Sequence, residues 1–141
     1  MTAAADRDEF LASRPRYATL TTLRADGSPI SVPVWFDWDG ECVSMFSAVT
    51  SAKLTRITGD PRVHVLVANE VDEPEYWVSF EGAAQIEEAG GFELAERLTG
   101  RYWDLDDPER ADTLEVWRSF KDVGFRKITV IPTKTRNYVA E

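Results

Sequence analysis

The segment Phe46–Lys53 places hydroxyl and lysine side chains where a strand should end and a helix should begin. A helix N-terminus presents unpaired backbone N–H groups and positive potential, and both attract phosphate. Thr50 or Ser51 is the expected N-cap. Lys53 then lies at the end of the helix that disfavours a cation. A bound phosphate would offset this repulsion, and the alternative is an ordinary capped helix with a solvated lysine.

A second candidate site is Pro33–Phe36, where a proline interrupts a strand and two aromatic residues follow. Proline removes one N–H from the strand ladder, so this strand must be broken, bulged or at a sheet edge. The backbone groups that it frees could hydrogen-bond the edge of a planar heterocycle, with Trp35 or Phe36 as a wall. The alternative is an edge strand that packs both aromatic side chains in the core.

The chain has one histidine, His64, and one cysteine, Cys42. These counts exclude a Cys/His zinc site and an intramolecular disulfide. His64 lies between apolar residues of a predicted strand, which favours a hydrogen-bonded structural histidine over a catalytic one. The acidic residues of 104–109 lack the alternating ligands and central glycine of a calcium loop, and helix capping explains them better. No metal site is therefore predicted.

Composition narrows the classes of partner. The 141 residues carry 25 acids and 16 bases, for a net charge of −9. Such a chain repels phosphate backbones and anionic membrane surfaces, so nucleic acid is not an expected partner. No apolar run approaches the length of a membrane span, and the acidic start lacks the apolar core of a signal peptide. We expect a cytoplasmic protein.

Most of the chain carries strand signals, including two Asp-Gly turns at residues 26–27 and 39–40. Meander strands joined by short turns indicate a mainly β, small antiparallel barrel with minor α content, in one domain over residues 1–141. The predicted helices are 7–13, 51–58, 91–103 and 107 to about 121. About six strands are predicted, at 17–24, 30–38, 43–48, 62–68, 76–87 and 125–139, and the last of these could be one or two strands around Pro132.

Three stretches at suitable spacing resemble one known family. They are ATLTTLRADGSPISVPVWF, FSAVTSAKLTRITGDPRVHVLV and WVSFEGAAQI. Together they resemble the pyridoxamine-5′-phosphate-oxidase-like split β-barrel proteins, and within these the flavin/deazaflavin oxidoreductases of actinobacteria. The resemblance implies a six-stranded antiparallel split β-barrel. A short helix would follow the third strand, and a helical pair would precede the last strand.

The resemblance also implies where a cofactor binds. It implies a homodimer with two cofactors in grooves between the subunits, and the five tryptophans fit either an interface or such a groove. The cofactor phosphate would lie at Ser47, Thr50, Ser51 and Lys53. The isoalloxazine or deazaflavin ring would lie along Val32, Pro33, Val34 and Trp35.

Departures from the family pattern favour one cofactor over another. The FMN-dependent oxidases of this family carry an arginine and a lysine on the second strand and an Arg-Lys pair at the helix start. Here the second strand offers only Val32–Trp35 at those places, and Ala52 replaces the first residue of the pair. The pattern resembles the branch that uses coenzyme F420, a 5-deazaflavin. The anionic oligoglutamate tail of F420 would then meet Arg56, Lys53, Arg62 or an arginine of the partner subunit.

We therefore expect an F420-dependent oxidoreductase that transfers hydride from the reduced cofactor to an unsaturated small organic substrate. The cofactor carries the chemistry, so no catalytic dyad is needed, and Tyr76, Tyr102 or solvent could supply a proton. One alternative is a non-catalytic protein that binds a flavin, a deazaflavin or a tetrapyrrole. The other is an FMN-dependent flavoprotein on the same fold.

Overall fold

The computed structural model describes residues 3–139, which form a mainly β fold with four helices. The helices are α1 (Ala3–Ala12), α2 (Ala52–Gly59), α3 (Gly91–Tyr102) and α4 (Pro108–Gly124). The strands are β1 (Ala18–Leu23), β2 (Pro29–Val34), β3 (Asp37–Trp38), β4 (Val43–Ala48), β5 (Arg62–Ala68), β6 (Trp77–Glu87) and β7 (Phe125–Asn137).

One antiparallel sheet contains all seven strands, in the order β2-β1-β5-β6-β7-β4-β3. Its two edge strands, β2 and β3, are consecutive in the chain and are separated only by Trp35 and Phe36. The sheet must therefore curl until its edges come close together, which makes a half-barrel consistent with a split barrel. Alternating side chains fill its interior, as Val63, Val65 and Val67 of β5 do.

The prediction of six strands is wrong, because the predicted strand 30–38 divides into β2 and β3. The backbone leaves the ladder after Val34, and the Phe36 N–H donates to the Tyr102 hydroxyl instead. Asp37 then pairs with Ser44 of β4 at the other edge of the sheet. Pro33 does not itself interrupt β2, since it pairs with Thr19 on this edge strand, where a proline is tolerated.

The predicted order of helices is confirmed, except that the short helix α2 now follows the fourth strand. Ser51 is its N-cap and accepts from the Lys53 N–H. The helical pair α3 and α4 precedes the last strand, and Asp107 caps α4 by accepting from the Glu109 N–H. Gly91 lets α3 lie close to β7, because a Cβ there would meet the Arg126 backbone.

An ion pair between a buried arginine and a partly exposed glutamate joins the segment after α1 to the loop before β6. Arg16 is 2% exposed and donates both terminal nitrogens to the Glu73 carboxylate, at 2.5 and 2.7 Å. Its Nε donates to the Phe10 carbonyl, and its guanidinium lies 3.8 Å from the centre of the Phe10 ring. The hydrogen bonds from Arg16 are the main reason that the pKa of Glu73 falls from 4.5 to about 2.

Gly91→Ala tests the close approach of α3 to β7. We expect it to destabilise the fold by about 1–3 kcal/mol, because the new Cβ would lie 2.6 Å from the Arg126 carbonyl carbon. Gly100→Ala is the control, since that glycine is in the same helix and no atom lies within 4 Å of its Cβ position. It should be neutral or stabilising by about 0.5–1 kcal/mol. Equal urea midpoints for the two variants would contradict this packing.

Glu73→Gln tests the ion pair through its pH dependence. The pKa of Glu73 is about 2 in the folded protein, against 4.5 ordinarily, so the folded state favours the carboxylate. The stabilisation is therefore present above pH 4.5 and is lost as the pH falls towards about 2. Urea unfolding should find Glu73→Gln less stable than wild type at neutral pH, with the gap closing in acid. The exposed Glu75, substituted by Gln, should show no such gap, and a gap independent of pH would refute the assignment.

Candidate functional site

A cavity of about 220 Å³ opens beside the break between β2 and β3. Four of the predicted site residues line it together: Pro33, Val34, Trp35 and Lys53. Three aromatic residues from distant parts of the chain complete its walls. These are Tyr17, Phe46 and Trp117.

Trp35 is the centre of the aromatic wall. Its ring stacks on Tyr102, with centroids 4.8 Å apart and planes 4° from parallel. Phe46 meets it edge-on at 5.8 Å, and Trp103 does so at 4.9 Å. Phe36 instead points into the core and is 3% exposed. Of the two aromatic residues that the sequence offered as a ring-binding wall, Trp35 therefore lines the cavity and Phe36 belongs to the core.

Lys53 is the positively charged residue that lines the cavity. Its side chain is half-buried, and burial, followed by the nearby charge of Arg56, lowers the pKa of the ammonium. Lys53 makes no ion pair within residues 3–139, although the chain is strongly acidic. A half-buried cation without an acidic partner, in the first turn of a helix, is a favourable place for an anionic ligand.

The other predicted phosphate and ring residues near this end of the sheet do not line the cavity. Ser51 is occupied as the cap of α2, and Thr50 is exposed in the turn before that helix. The Ser47 hydroxyl is 2% exposed and donates to the Ala48 carbonyl at 3.0 Å. Val32 packs against the core.

Arg56 lines a second cavity, of about 570 Å³, between the β1–β2 turn and the second half of α2. Its Nε donates to the Thr22 hydroxyl at 2.7 Å. Arg24 and Arg62 line the same cavity, and Arg62 is paired with Asp60 at 2.7 Å. Since Arg56 is one helical turn from Lys53, α2 presents cations to both cavities.

Neither tyrosine named as a proton source lines the first cavity. The Tyr102 hydroxyl donates to the Arg16 carbonyl at 2.5 Å, and burial raises its pKa. The Tyr76 hydroxyl accepts from Asn137, and its ring packs on Phe10. Tyr17, which the sequence did not single out, lines the cavity and is 63% exposed.

The missed residues gave only weak signals in the sequence. Tyr17 immediately precedes β1, and Phe46 is one of several apolar residues in a strand. The spacing of Trp117 predicts only that it lies on the inner face of a helix. Their meeting depends on how the sheet curls and where α4 packs. The high tryptophan count was the one available hint, since it suggested a ring-binding groove without indicating its members.

Aromatic walls and one desolvated cation together suit a planar, anionic organic ligand. In the described part of the chain, no group of three or more His, Cys, Asp or Glu side chains could hold a metal ion. Within residues 3–139, every helix is too short or too polar to cross a membrane.

Solved structures similar to this chain share its fold. An F420 reductase is 27% identical, with a TM-score of 0.72 over 91% of this chain and 94% of that one. A conserved hypothetical protein from Mycobacterium tuberculosis is also 27% identical, with a TM-score of 0.67 over 98% and 84% of the two chains. A putative pyridoxamine 5′-phosphate oxidase from Listeria innocua, at 18% identity and TM-score 0.71 over 99% and 100%, shows the fold alone.

No protein of curated function matches the chain. The family model described as pyridoxamine 5′-phosphate oxidase matches residues 5–127. This match covers most of the chain, including β2, β4, α2 and α4, which contribute residues to the cavity wall. The protein therefore belongs to the pyridoxamine 5′-phosphate oxidase family.

Proposed function

We propose that the protein is an F420-dependent oxidoreductase that reduces an unsaturated small organic molecule. The observation that carries this proposal is Lys53, a half-buried cation without an acidic partner, beside a cavity walled by aromatic rings. When bound, reduced F420 supplies a hydride for transfer to the substrate. The chain itself binds and orients both molecules and excludes water.

The ring would lie along Val32–Trp35, where the cavity walls are apolar and aromatic. The phosphate would be held by Lys53 and the start of α2, with Ser47, Thr50 and Ser51 around it. Arg56, on the next turn, would meet the anionic tail in the larger cavity. The charges of α2 support this placement. Lys53 lines the first cavity, and Arg56, one helical turn later, lines the second.

Two observations favour F420 over FMN. Val32–Trp35 carries none of the basic side chains that the FMN-dependent oxidases have there, and Ala52 replaces an arginine. The similar solved structure named F420 reductase points the same way. FMN remains the alternative cofactor.

A non-catalytic binding protein is the second candidate function. The residues that line the first cavity include no carboxyl and no imidazole group, so a bound molecule would find only Lys53 and Tyr17 there as groups of the protein able to transfer a proton. His64 lines a different surface depression, with Thr21 and Arg62. A flavin, a deazaflavin or a tetrapyrrole could bind on such a wall without reacting.

The proposal includes a homodimer. A cavity of about 220 Å³ is smaller than the roughly 300–1,000 Å³ of ordinary ligand sites, so one chain supplies only part of the wall. A second copy would complete it. Light scattering of the purified protein should give a mass twice that of the 15.9 kDa chain. A monomeric mass in the presence of cofactor would refute the shared site.

The cofactor is tested by titrating the purified protein with oxidised F420 and, separately, with FMN, following cofactor fluorescence. We expect tight binding of F420 and weak binding of FMN. A preference for FMN would move the protein to the flavin-dependent branch and overturn the proposal. In Lys53→Ala, F420 affinity should fall at least about tenfold, since a charge-assisted contact contributes about 1.5–3 kcal/mol. The exposed Lys134, substituted by Ala, is the matched control and should leave affinity unchanged.

Turnover separates the enzyme from the binding protein. Reduced F420 is mixed with a panel of enones, quinones and bilins, and its reoxidation is followed against a blank without protein. An enzyme accelerates reoxidation with at least one acceptor, and Lys53→Ala slows it at limiting cofactor. Tight binding of F420 without faster reoxidation for any acceptor would favour a non-catalytic binding protein.

A further inference from the structure

We infer that Tyr102 is a positioning residue that orients Trp35, and through it the ring-binding wall of the cavity. This inference rests on the proposed function, because it takes the cavity as the cofactor site. Tyr102 does not itself line the cavity, whereas Trp35 does. Its effect on a ligand must therefore pass through the tryptophan.

The first support is the hydrogen bonding of the Tyr102 hydroxyl at the break between β2 and β3. The Phe36 N–H has left the strand ladder and donates to this oxygen at 3.3 Å. The hydroxyl in turn donates to the Arg16 carbonyl at 2.5 Å. A backbone N–H without a partner would be costly in this buried position, so the hydroxyl holds the two-residue connection in one conformation.

The second support is the stack between the two rings. The centroids of Trp35 and Tyr102 lie 4.8 Å apart with planes 4° from parallel, so the tyrosine ring covers one face of the indole. The Trp103 ring makes an edge-to-face contact with the Trp35 indole, with the two planes at 85°. The plane of Trp35 is thereby set by the residues at the C-terminal end of α3.

Tyr102 can act in this way because hydrogen bonds hold the residues around it. Arg101, its neighbour on α3, donates to the carbonyls of Leu11 and Arg14. Arg16, whose carbonyl accepts from Tyr102, is held by the ion pair with Glu73. Burial raises the pKa of Tyr102, so the hydroxyl keeps the proton that it donates throughout the neutral range.

The experiment compares Tyr102→Phe with Tyr76→Phe. Both variants lose one tyrosine hydroxyl that makes a hydrogen bond, but Tyr76 bonds Asn137 and packs on Phe10 in a different cavity. Each protein is labelled with 5-fluorotryptophan, and the Trp35 signal among the five is assigned with Trp35→Phe. The ¹⁹F spectrum is recorded without cofactor, and affinity is then measured by titration with oxidised F420.

We expect Tyr102→Phe to shift or broaden the Trp35 signal and to weaken F420 binding about tenfold, the equivalent of roughly one lost hydrogen bond. Tyr76→Phe should change neither quantity, even if it lowers the unfolding midpoint by a similar amount. In the Trp35→Phe background, Tyr102→Phe should cause no further loss of affinity, because its effect passes through the indole.

An unmoved Trp35 signal in Tyr102→Phe would overturn the inference. Fully additive losses of affinity in the double variant would overturn it as well, since the tyrosine would then act independently of Trp35. If wild type binds no F420 at all, the proposed function fails, and the role of Tyr102 in cofactor binding fails with it. The ¹⁹F signal, recorded without cofactor, distinguishes that result from a failure of Tyr102 to orient Trp35.

Discussion

Two residues, Trp35 and Phe36, connect the opposite edges of a seven-stranded sheet, and this short connection constrains the whole fold. It requires the sheet to curl, and it leaves the Phe36 N–H to be satisfied outside the ladder. The hydroxyl of Tyr102, the last residue of α3, accepts that N–H and so joins the end of α3 to the connection. The cavity lies beside the same break, and Trp35 of the connection is part of its wall.

Local patterns predicted much of this architecture. The Asp-Gly turns, the Ser51 cap and the capping role of the acidic residues before α4 could all be predicted from neighbouring residues. The division of strand 30–38 could not, because Pro33 indicates a broken, bulged or edge strand without indicating where the chain pairs next. A two-residue strand such as β3 is too short to carry a periodic signal.

The candidate site was likewise predictable from the sequence only in part. Lys53 could be predicted from the sequence because a cation is unfavourable in the first turn of a helix, and a few neighbouring residues suffice to locate that turn. The aromatic wall depends on residues 17, 35, 46 and 117, which only the curled sheet and the packing of α4 bring together. Charge adds a further contrast, because the chain is acidic as a whole while α2 places Lys53 at one cavity and Arg56 at the other.

The shortness of the connection also bears on how a ligand could enter. Three peptide units from Val34 to Asp37 span at most about 11 Å, so the end of β2 and the start of β3 cannot separate by more than that distance. The cavity already opens to the surface, so a ligand need not separate these edges to reach it. Tyr17 lines this opening and is 63% exposed, and exposed side chains change rotamer in picoseconds to nanoseconds rather than in the milliseconds of a domain motion.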